Sequence, residues 1–384
     1  ELAVDMERRA DGTMLVRPCQ ALEAYPRSII DRLDHWAATA PDRPVLADRG
    51  PEGNWRHCSY GEARAQSRAI AQYLLDLGLS AERPVVILSG NGIEHALLAL
   101  GCMTAGIPFA PVSPAYSLVS KDHAKLKHIF SLLTPGLVFA AEGAPFAGAL
   151  DAVMQPDMRL VVAREPAPGH ASTPFAEMLA AQPTEAVDRA NAAVGGDTVA
   201  KFLFTSGSTG MPKAVINTQS MICCNQVMIA TALAFLRDEP PVMVDWLPWN
   251  HTAGGNHNIG IAIHNGGTLY IDDGAPTPAG IARTVRNLEE IAPTLYFNVP
   301  KGYEMLSEHL TTNDRLRETF FSRVKLLQYA GAGLAQHVWD ALERLARETI
   351  GEKVMIITGY GSTETAPFAF TTTWPVARPG EVGL

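Results

Sequence analysis

Short apolar runs and stretches of three-to-four-residue periodicity alternate along nearly the whole chain, the pattern of buried strands followed by amphipathic helices. Ser59-Tyr-Gly-Glu62 is a capping box, and Ile70, Leu74 and Leu77 stripe one helical face before Gly78 ends it. Val85–Leu88 then reads as a buried strand. Ala96–Val112 is the most apolar stretch, and Gly101, Gly106, Pro108 and Pro111 divide it into a core helix and a strand, not a membrane span. Ser120 is expected to open another helix, in which Leu126, Ile129, Phe130 and Leu133 recur until Pro135-Gly136 stops it. A segment rich in Pro, Ala and Gly, from Glu165 to Asp197, predicts a boundary between two α/β subdomains, residues 1–195 and 196–384. Beyond it, strands are expected near 199–204, 242–247, 268–271, 294–299, 325–329 and 354–357, separated by helices. The pattern predicts an α/β fold of two mainly parallel sheets flanked by helices, with ligand in the crevice between the halves.

Two of these strands run into loops that carry chemistry. The apolar run Val199–Phe204 leads into Thr205-Ser206-Gly207-Ser208-Thr209-Gly210-Met211-Pro212-Lys213. Glycines let main-chain N–H groups close around phosphate oxygens, hydroxyls add donors, and Lys213 adds a mobile charge. The spacing is not that of a Walker A loop. A flexible Gly/Ser/Thr connection is the plainer reading, and the strand in front and the Pro-Lys behind argue against it. The second run, Val354–Ile357, enters Thr358-Gly359-Tyr360-Gly361-Ser362-Thr363-Glu364-Thr365 at a strand's carboxyl end, where open α/β sheets bind ligands. Tyr360 could stack on a base, Thr363 could donate to a phosphate, and Glu364 could hold a magnesium ion bridging phosphates. Alone this segment is an ordinary turn. In order with the first loop, it describes a magnesium-nucleotide site.

Composition narrows the class. The 384 residues are 47% hydrophobic, enough for a sizeable core. A net charge of −9 without a basic stripe argues against a nucleic-acid partner, so an anionic substrate must be held by local donors. Cys19, Cys58, Cys102, Cys223 and Cys224 lack C-x-x-C spacing and read as thiols in a reducing, cytoplasmic setting. No signal peptide opens the sequence, whose first residue is not methionine.

In these motifs the chain resembles the adenylate-forming superfamily of acyl-CoA synthetases, peptide-synthetase adenylation domains and firefly luciferases. Thr205–Lys213 is similar to that family's phosphate loop, and Tyr360–Glu364 to its adenine, α-phosphate and magnesium motif. Tyr329-Ala330-Gly331-Ala332-Gly333-Leu334 is similar to the small-residue segment along the adenine and acyl group. Leu247-Pro248-Trp249-Asn250-His251 resembles the Pro-x-x-His gate between the nucleotide and acyl pockets. The resemblance runs from about Tyr60 to the last residues and implies the large N-terminal domain of such an enzyme. It also implies what should follow Arg378–Leu384: an aspartate for the ribose hydroxyls, a hinge, and a small C-terminal domain whose lysine reaches the α-phosphate. None of these lies within the 384 residues, so the expectation is an incomplete large domain without the small one.

The implied chemistry is an ATP-dependent carboxylic acid–CoA ligation through an acyl-adenylate, with magnesium, ATP and coenzyme A. Glu364, Thr363, Lys213 and His251 are the implied catalytic group. His251, His257 and His264 match no familiar zinc spacing, and the gate role is preferred for His251. The absence of a carboxylate in Trp249-Asn250-His251 argues against an amino-acid substrate. Pro293–Pro300 resembles the segment lining the acyl tunnel, so Tyr296, Phe297, Asn298, Trp249, His251 and the Ala330–Gly331 backbone are the expected acyl pocket. Tyr296 and Phe297 read equally well as ordinary strand residues. Likeness across Pro111–Ser117 and Trp249–Asn256 is greatest to bacterial feruloyl-CoA synthetases, which implies hydroxycinnamates with Asn298 meeting a ring hydroxyl. A fatty-acid or benzoate ligase, a luciferase-like oxygenase, and a non-enzymatic nucleotide-binding module remain open, as does the oligomeric state.

Overall fold

The computed structural model describes residues 3–206, 210–376 and 378–383, with Ser206 described by its backbone. A seven-stranded sheet has the order Pro212–Thr218, Val199–Ser206, Phe109–Pro111, Val85–Ile87, Leu137–Glu142, Arg159–Arg164 and Thr173–Pro174. All its pairings are parallel except the hairpin of Val199–Ser206 with Pro212–Thr218. A four-stranded sheet runs Val242–Asp245, Thr268–Ile271, Pro44–Arg49, Trp55–Ser59, and another runs Leu295–Asn298, Leu326–Tyr329, Met355–Gly361, Phe368–Thr371. These two abut at one edge: Thr294 N–H donates to the Val242 carbonyl (2.9 Å) and Val242 N–H to Thr294 Oγ1 (2.9 Å). The strands foreseen from the apolar runs all form. An antiparallel hairpin, Val4–Arg8 with Met14–Pro18, lies apart from the large sheets.

The boundary expected at residue 195 does not separate two sheets. Pro44–Arg49 and Trp55–Ser59 leave the first half to pair beside Thr268–Ile271, with Leu46 opposite Leu269. In exchange, Val199–Ser206 joins the first sheet, with Lys201 opposite Phe109. Both of these sheets therefore need strands from either side of residue 195, whereas the sheet of Leu295–Asn298 to Phe368–Thr371 lies wholly beyond it. A second correction concerns Ser120. The helix begins at Ala124, because Asp122 Oδ1 accepts the Ala124 N–H (3.1 Å) and Ser120 Oγ accepts that of His123 (3.2 Å), holding Ser120–His123 in a turn.

The capping box forms as read: Ser59 Oγ accepts the Glu62 N–H (3.2 Å) and the Glu62 carboxylate accepts that of Ser59 (2.8 Å), opening helix Tyr60–Asp76. Helix Ile93–Ala105 is buried on nearly every face because one core cluster includes side chains of both sheets around it, such as Leu46 and Leu269 from one and Ile87 and Phe109 from the other. It lies against the Tyr60–Asp76 helix at Gly101, where an added Cβ would stand 2.7 Å from Ile70 Cβ. A second core, of Leu288, Tyr303, Phe320, Leu342 and their neighbours, packs four helices on the sheet that carries Leu326–Tyr329. Among the described residues no helix is long and apolar enough to cross a membrane.

Gly101→Ala should test the helix contact by a change of sign. Overpacking costs about 1–3 kcal/mol, against a helix-propensity gain of about 1 kcal/mol. The substitution should lower the urea midpoint in the wild type and raise it in an Ile70→Ala background. An equal loss in both would exclude this contact as the cause.

Candidate functional site

At the carboxyl ends of Leu295–Asn298, Leu326–Tyr329 and Met355–Gly361 opens a cavity of about 540 Å³. The sheet contributes Phe297, Gln328, Ala330–Gly333 and Gly359–Gly361; His251, Thr252, Ala253 and His257 face them, and Pro367, Phe368 and Phe370 close one side. Its glycines serve different ends. Gly331 has φ +89°, and a Cβ there would meet nothing within 4 Å, so it bends the chain beside open space. Gly359 and Gly361 are instead required by the next strand, since a Cβ would run into the Phe370 and Pro367 carbonyls.

Of the residues read as nucleotide-binding, Gly331, Ala332, Gly333, Gly359, Tyr360 and Gly361 line this cavity. The Tyr360 ring is 59% exposed and tilted against Phe370. Thr363 is buried, whereas Glu364 is exposed and forms no ion pair or hydrogen bond among the described residues. Ser362 caps the short turn Thr363–Thr365. Thr205 and Ser206 end their strand opposite Lys213 and Pro212, Lys213 is exposed, and Gly210 has φ +82°. Gly207, Ser208 and Thr209 lie outside the described residues. Asn217, on the return strand, donates from Nδ2 to the Thr363 carbonyl (3.3 Å), while Asn225 Nδ2 donates to those of Thr365 (3.0 Å) and Phe368 (2.8 Å). The phosphate-loop hairpin and the Tyr360–Glu364 motif are thereby fixed to one another. An exposed, unpaired Glu364 suits magnesium, which takes one or two carboxylates and fills its octahedron with phosphate oxygens and water. Among the described residues no group of three or more His, Cys, Asp or Glu side chains converges as a metal site.

The residues expected in the acyl pocket do not all meet at this cavity. His251, Phe297, Ala330 and Gly331 line the cavity; Trp249, Tyr296 and Asn298 do not. Strand alternation accounts for two of these: Phe297 faces the cavity, so its neighbours Tyr296 and Asn298 face away. Tyr296 packs edge-on against Tyr303 and Phe320 in the core, and its hydroxyl accepts from Asn298 Nδ2 (2.9 Å). Asn298 Oδ1 accepts the Val299 N–H (2.8 Å), and the side chain does not border the cavity where a ring hydroxyl would lie. Trp249 is turned by Asn91, which accepts the Trp249 N–H (3.0 Å) and donates to the Leu247 carbonyl (2.9 Å), so that its indole packs on His95. It lines a separate cavity of about 40 Å³ behind the gate segment.

Sequence reading missed what holds that segment. Ala253–Asn258 is a π-helical turn pressed so close to the preceding loop that a Cβ at Gly254 or Gly255 would strike the Leu247 or Trp249 carbonyl. Lys201, buried in the strand that feeds the phosphate loop, donates from Nζ to the Gly255 carbonyl (2.6 Å) and lies 5.1 Å from the Phe109 ring centroid. Asn256 Nδ2 donates to Asn217 Oδ1 (2.8 Å) and Thr252 Oγ1 (3.0 Å), and Gln226 Nε2 to the Asn256 carbonyl (3.0 Å). The one available signal was a lysine inside the apolar run Val199–Phe204. Burial pushes Lys201 down to about 7. His251 accepts the Ala253 N–H at Nδ1 (3.2 Å), so its proton sits on Nε2, and burial keeps it below the usual histidine range.

Comparison with known proteins agrees with this geometry. The profile of the family described as "AMP-binding enzyme" matches residues 33–384. An acyl-CoA synthetase, FUM10, of Gibberella moniliformis is 26% identical over 83% of this chain and 55% of its own length. An indoleacetate–CoA ligase of Aromatoleum aromaticum is 26% identical over 88% of this chain and 60% of its own. The crystal structure of a benzoate CoA ligase from Burkholderia xenovorans LB400 superposes with TM-score 0.68 at 20% identity, covering 90% of this chain and 63% of that one. The fold is thus that of adenylate-forming enzymes' large domains, and the chain spans about half the length of the curated relatives it matches.

Lys201 generates a test with a definite sign. Its folded pKa, about 7, lies below the ordinary 10.5, so between these values the unfolded chain binds more protons and stability rises with pH. Relative to Lys201→Met, the wild type should gain stability from about pH 7 to pH 9, with a slope approaching about 1.4 kcal/mol per pH unit. Urea unfolding of both proteins at several pH values measures it. A constant difference would show that Lys201 stays charged.

Proposed function

The chain belongs to the AMP-binding enzyme family, and from that premise we propose that it is the acid- and nucleotide-binding part of an ATP-dependent carboxylic acid–CoA ligase working through an acyl-adenylate. The observation that carries this reading is one continuous cavity in which Ala330–Gly333 and Gly359–Gly361 border both an apolar recess at Phe297 and the exposed face of Tyr360. A molecule with an acyl group at one end and adenine at the other fits that arrangement.

In the first step a carboxylate oxygen attacks the α-phosphorus of ATP, and the bond to pyrophosphate breaks. In the second, coenzyme A sulfur attacks the acyl carbon and AMP leaves. Neither step needs an enzyme nucleophile; positioning and stabilisation of phosphate charge suffice. Tyr360 offers a stacking face to adenine, and Thr205–Gly210 with Lys213 meets the phosphates. His251, with its proton on Nε2, would donate to the reacting acid or phosphate from the cavity wall, and the ring's lowered pKa keeps it neutral. Glu364 would hold a magnesium ion, which when bound neutralises phosphate charge.

For the acid we propose a hydroxycinnamate such as ferulate. Leu247, Phe297, Val299 and Phe368 give the recess apolar walls. A relative named for indoleacetate supports an aromatic acid. Long-chain-fatty-acid ligases among the relatives keep an aliphatic acid as the second reading.

Glu364→Gln preserves shape and removes charge. In the full-length enzyme, acid-dependent ATP–pyrophosphate exchange should fall by about 100-fold or more. Exchange within a few-fold of wild type would remove Glu364 from the catalytic group.

A further inference from the structure

We propose that His257 and Gln328 form a polar floor in the acid cavity that reads a hydroxyl at the far end of the acid, selecting hydroxylated planar acids over their unhydroxylated counterparts. This rests on the aromatic-acid reading above.

Both side chains are at least 95% buried and line the cavity. Gln328 sits beside Phe297 as its partner in the adjacent parallel strand, so both project from the same sheet face. The Phe297 ring lies 5.2 Å from that of His257, tilted by 38°. Histidine, phenylalanine and glutamine thus make one contiguous surface. It lies deep. Gln328 is two residues inward along its strand from Ala330, and His257 lies six residues beyond His251, within the π-helical turn.

The polar atoms of the floor are uncommitted. Among the described residues neither amide atom of Gln328 hydrogen-bonds to protein, and its buried Oε1 lacks a partner. Asn258 Oδ1 lies 2.8 Å from His257 Nδ1, and in the proposed arrangement that amide oxygen accepts the imidazole proton from Nδ1. Nε2 is then a lone-pair acceptor, and it has no protein partner among the described residues. Burial holds the ring well below the usual range, at about 4, so it stays an acceptor at neutral pH. A phenolic hydroxyl satisfies both sides: it donates to His257 Nε2 and accepts from the Gln328 amide. An unsubstituted ring or an alkyl terminus leaves both groups desolvated and unpaired.

The test is pyrophosphate release by the full-length enzyme with cinnamate, 4-coumarate, ferulate and octanoate. Wild type should favour 4-coumarate over cinnamate by about 10- to 100-fold in kcat/KM. His257→Phe should bring that ratio to within about 3-fold of unity, 4-coumarate losing more than cinnamate, and His257→Gln, which restores a polar atom near Nε2, should recover part of it. Gln328→Leu should lower the ratio independently, with AMP affinity unchanged in all three variants. Equal losses for cinnamate and 4-coumarate, or an unaltered ratio, would overturn the polar floor and leave the aromatic reading standing. Octanoate preferred to every cinnamate by the wild type would overturn the aromatic reading itself.

Discussion

The buried amide of Asn217 is the point on which the site's geometry depends. From the return strand of the phosphate-loop hairpin it donates to the carbonyl of Thr363 and accepts from Asn256 in the gate turn. Three segments far apart in sequence, near residues 217, 256 and 363, are joined through one fully buried side chain. Lys201 makes a parallel link from the other strand of the hairpin to Gly255. In a water-excluded interior such bonds are directional and costly to leave unmade, so the segments have few alternative arrangements. The strands Val199–Ser206 and Pro212–Thr218, the Ala253–Asn258 turn and Thr363 are thereby set relative to one another, and such preorganisation is what a reaction driven by positioning requires.

Behind the acid wall the chain tolerates unusual charge. Asp245 is pushed up to about 7, by burial first and then by Asp272, with Asn258 and the Leu247 N–H opposing. Asp272 is itself raised by burial, though Thr284 Oγ1, Asn287 Nδ2 and the Gly274 N–H all donate to it. A cluster of this kind is a poor way to gain stability and a good way to orient neighbours. Here the groups held are the Leu247 N–H on Asp245 and Thr284, Asn287 and the Gly274 N–H on Asp272.

The motifs were legible because loops that wrap phosphate need particular residues at fixed spacing, and strand positions were legible because buried parallel strands are written as apolar runs. Sheet membership was not: nothing local in Pro44–Arg49 says that its partner is Thr268–Ile271 and not Val85–Ile87. Facing was the second blind spot. Tyr296 and Asn298 looked like pocket residues by type, yet period-two alternation let only Phe297 turn inward, and their mutual hydrogen bond consumed them. A strand was expected here and forms at Leu295–Asn298, but which of its residues face the cavity was not fixed by sequence. Trp249 failed for a related reason, since its direction is set by Asn91, distant in sequence. Lys201, Asn217 and His257 were hidden because a buried polar residue declares itself only through its partners.

The most direct test of the account is calorimetric titration of this chain with AMP and with feruloyl-sulfamoyladenosine, a stable stand-in for the acyl-adenylate. A single cavity serving both acid and nucleotide predicts one-to-one binding of the linked analogue about 100-fold or more tighter than AMP, because the second half binds intramolecularly. It further predicts that Tyr360→Ala weakens both ligands while His257→Phe weakens only the analogue. An analogue that binds no better than AMP, or not at all, would contradict the claim that the cavity beside Ala330–Gly333 is an acyl-adenylate site.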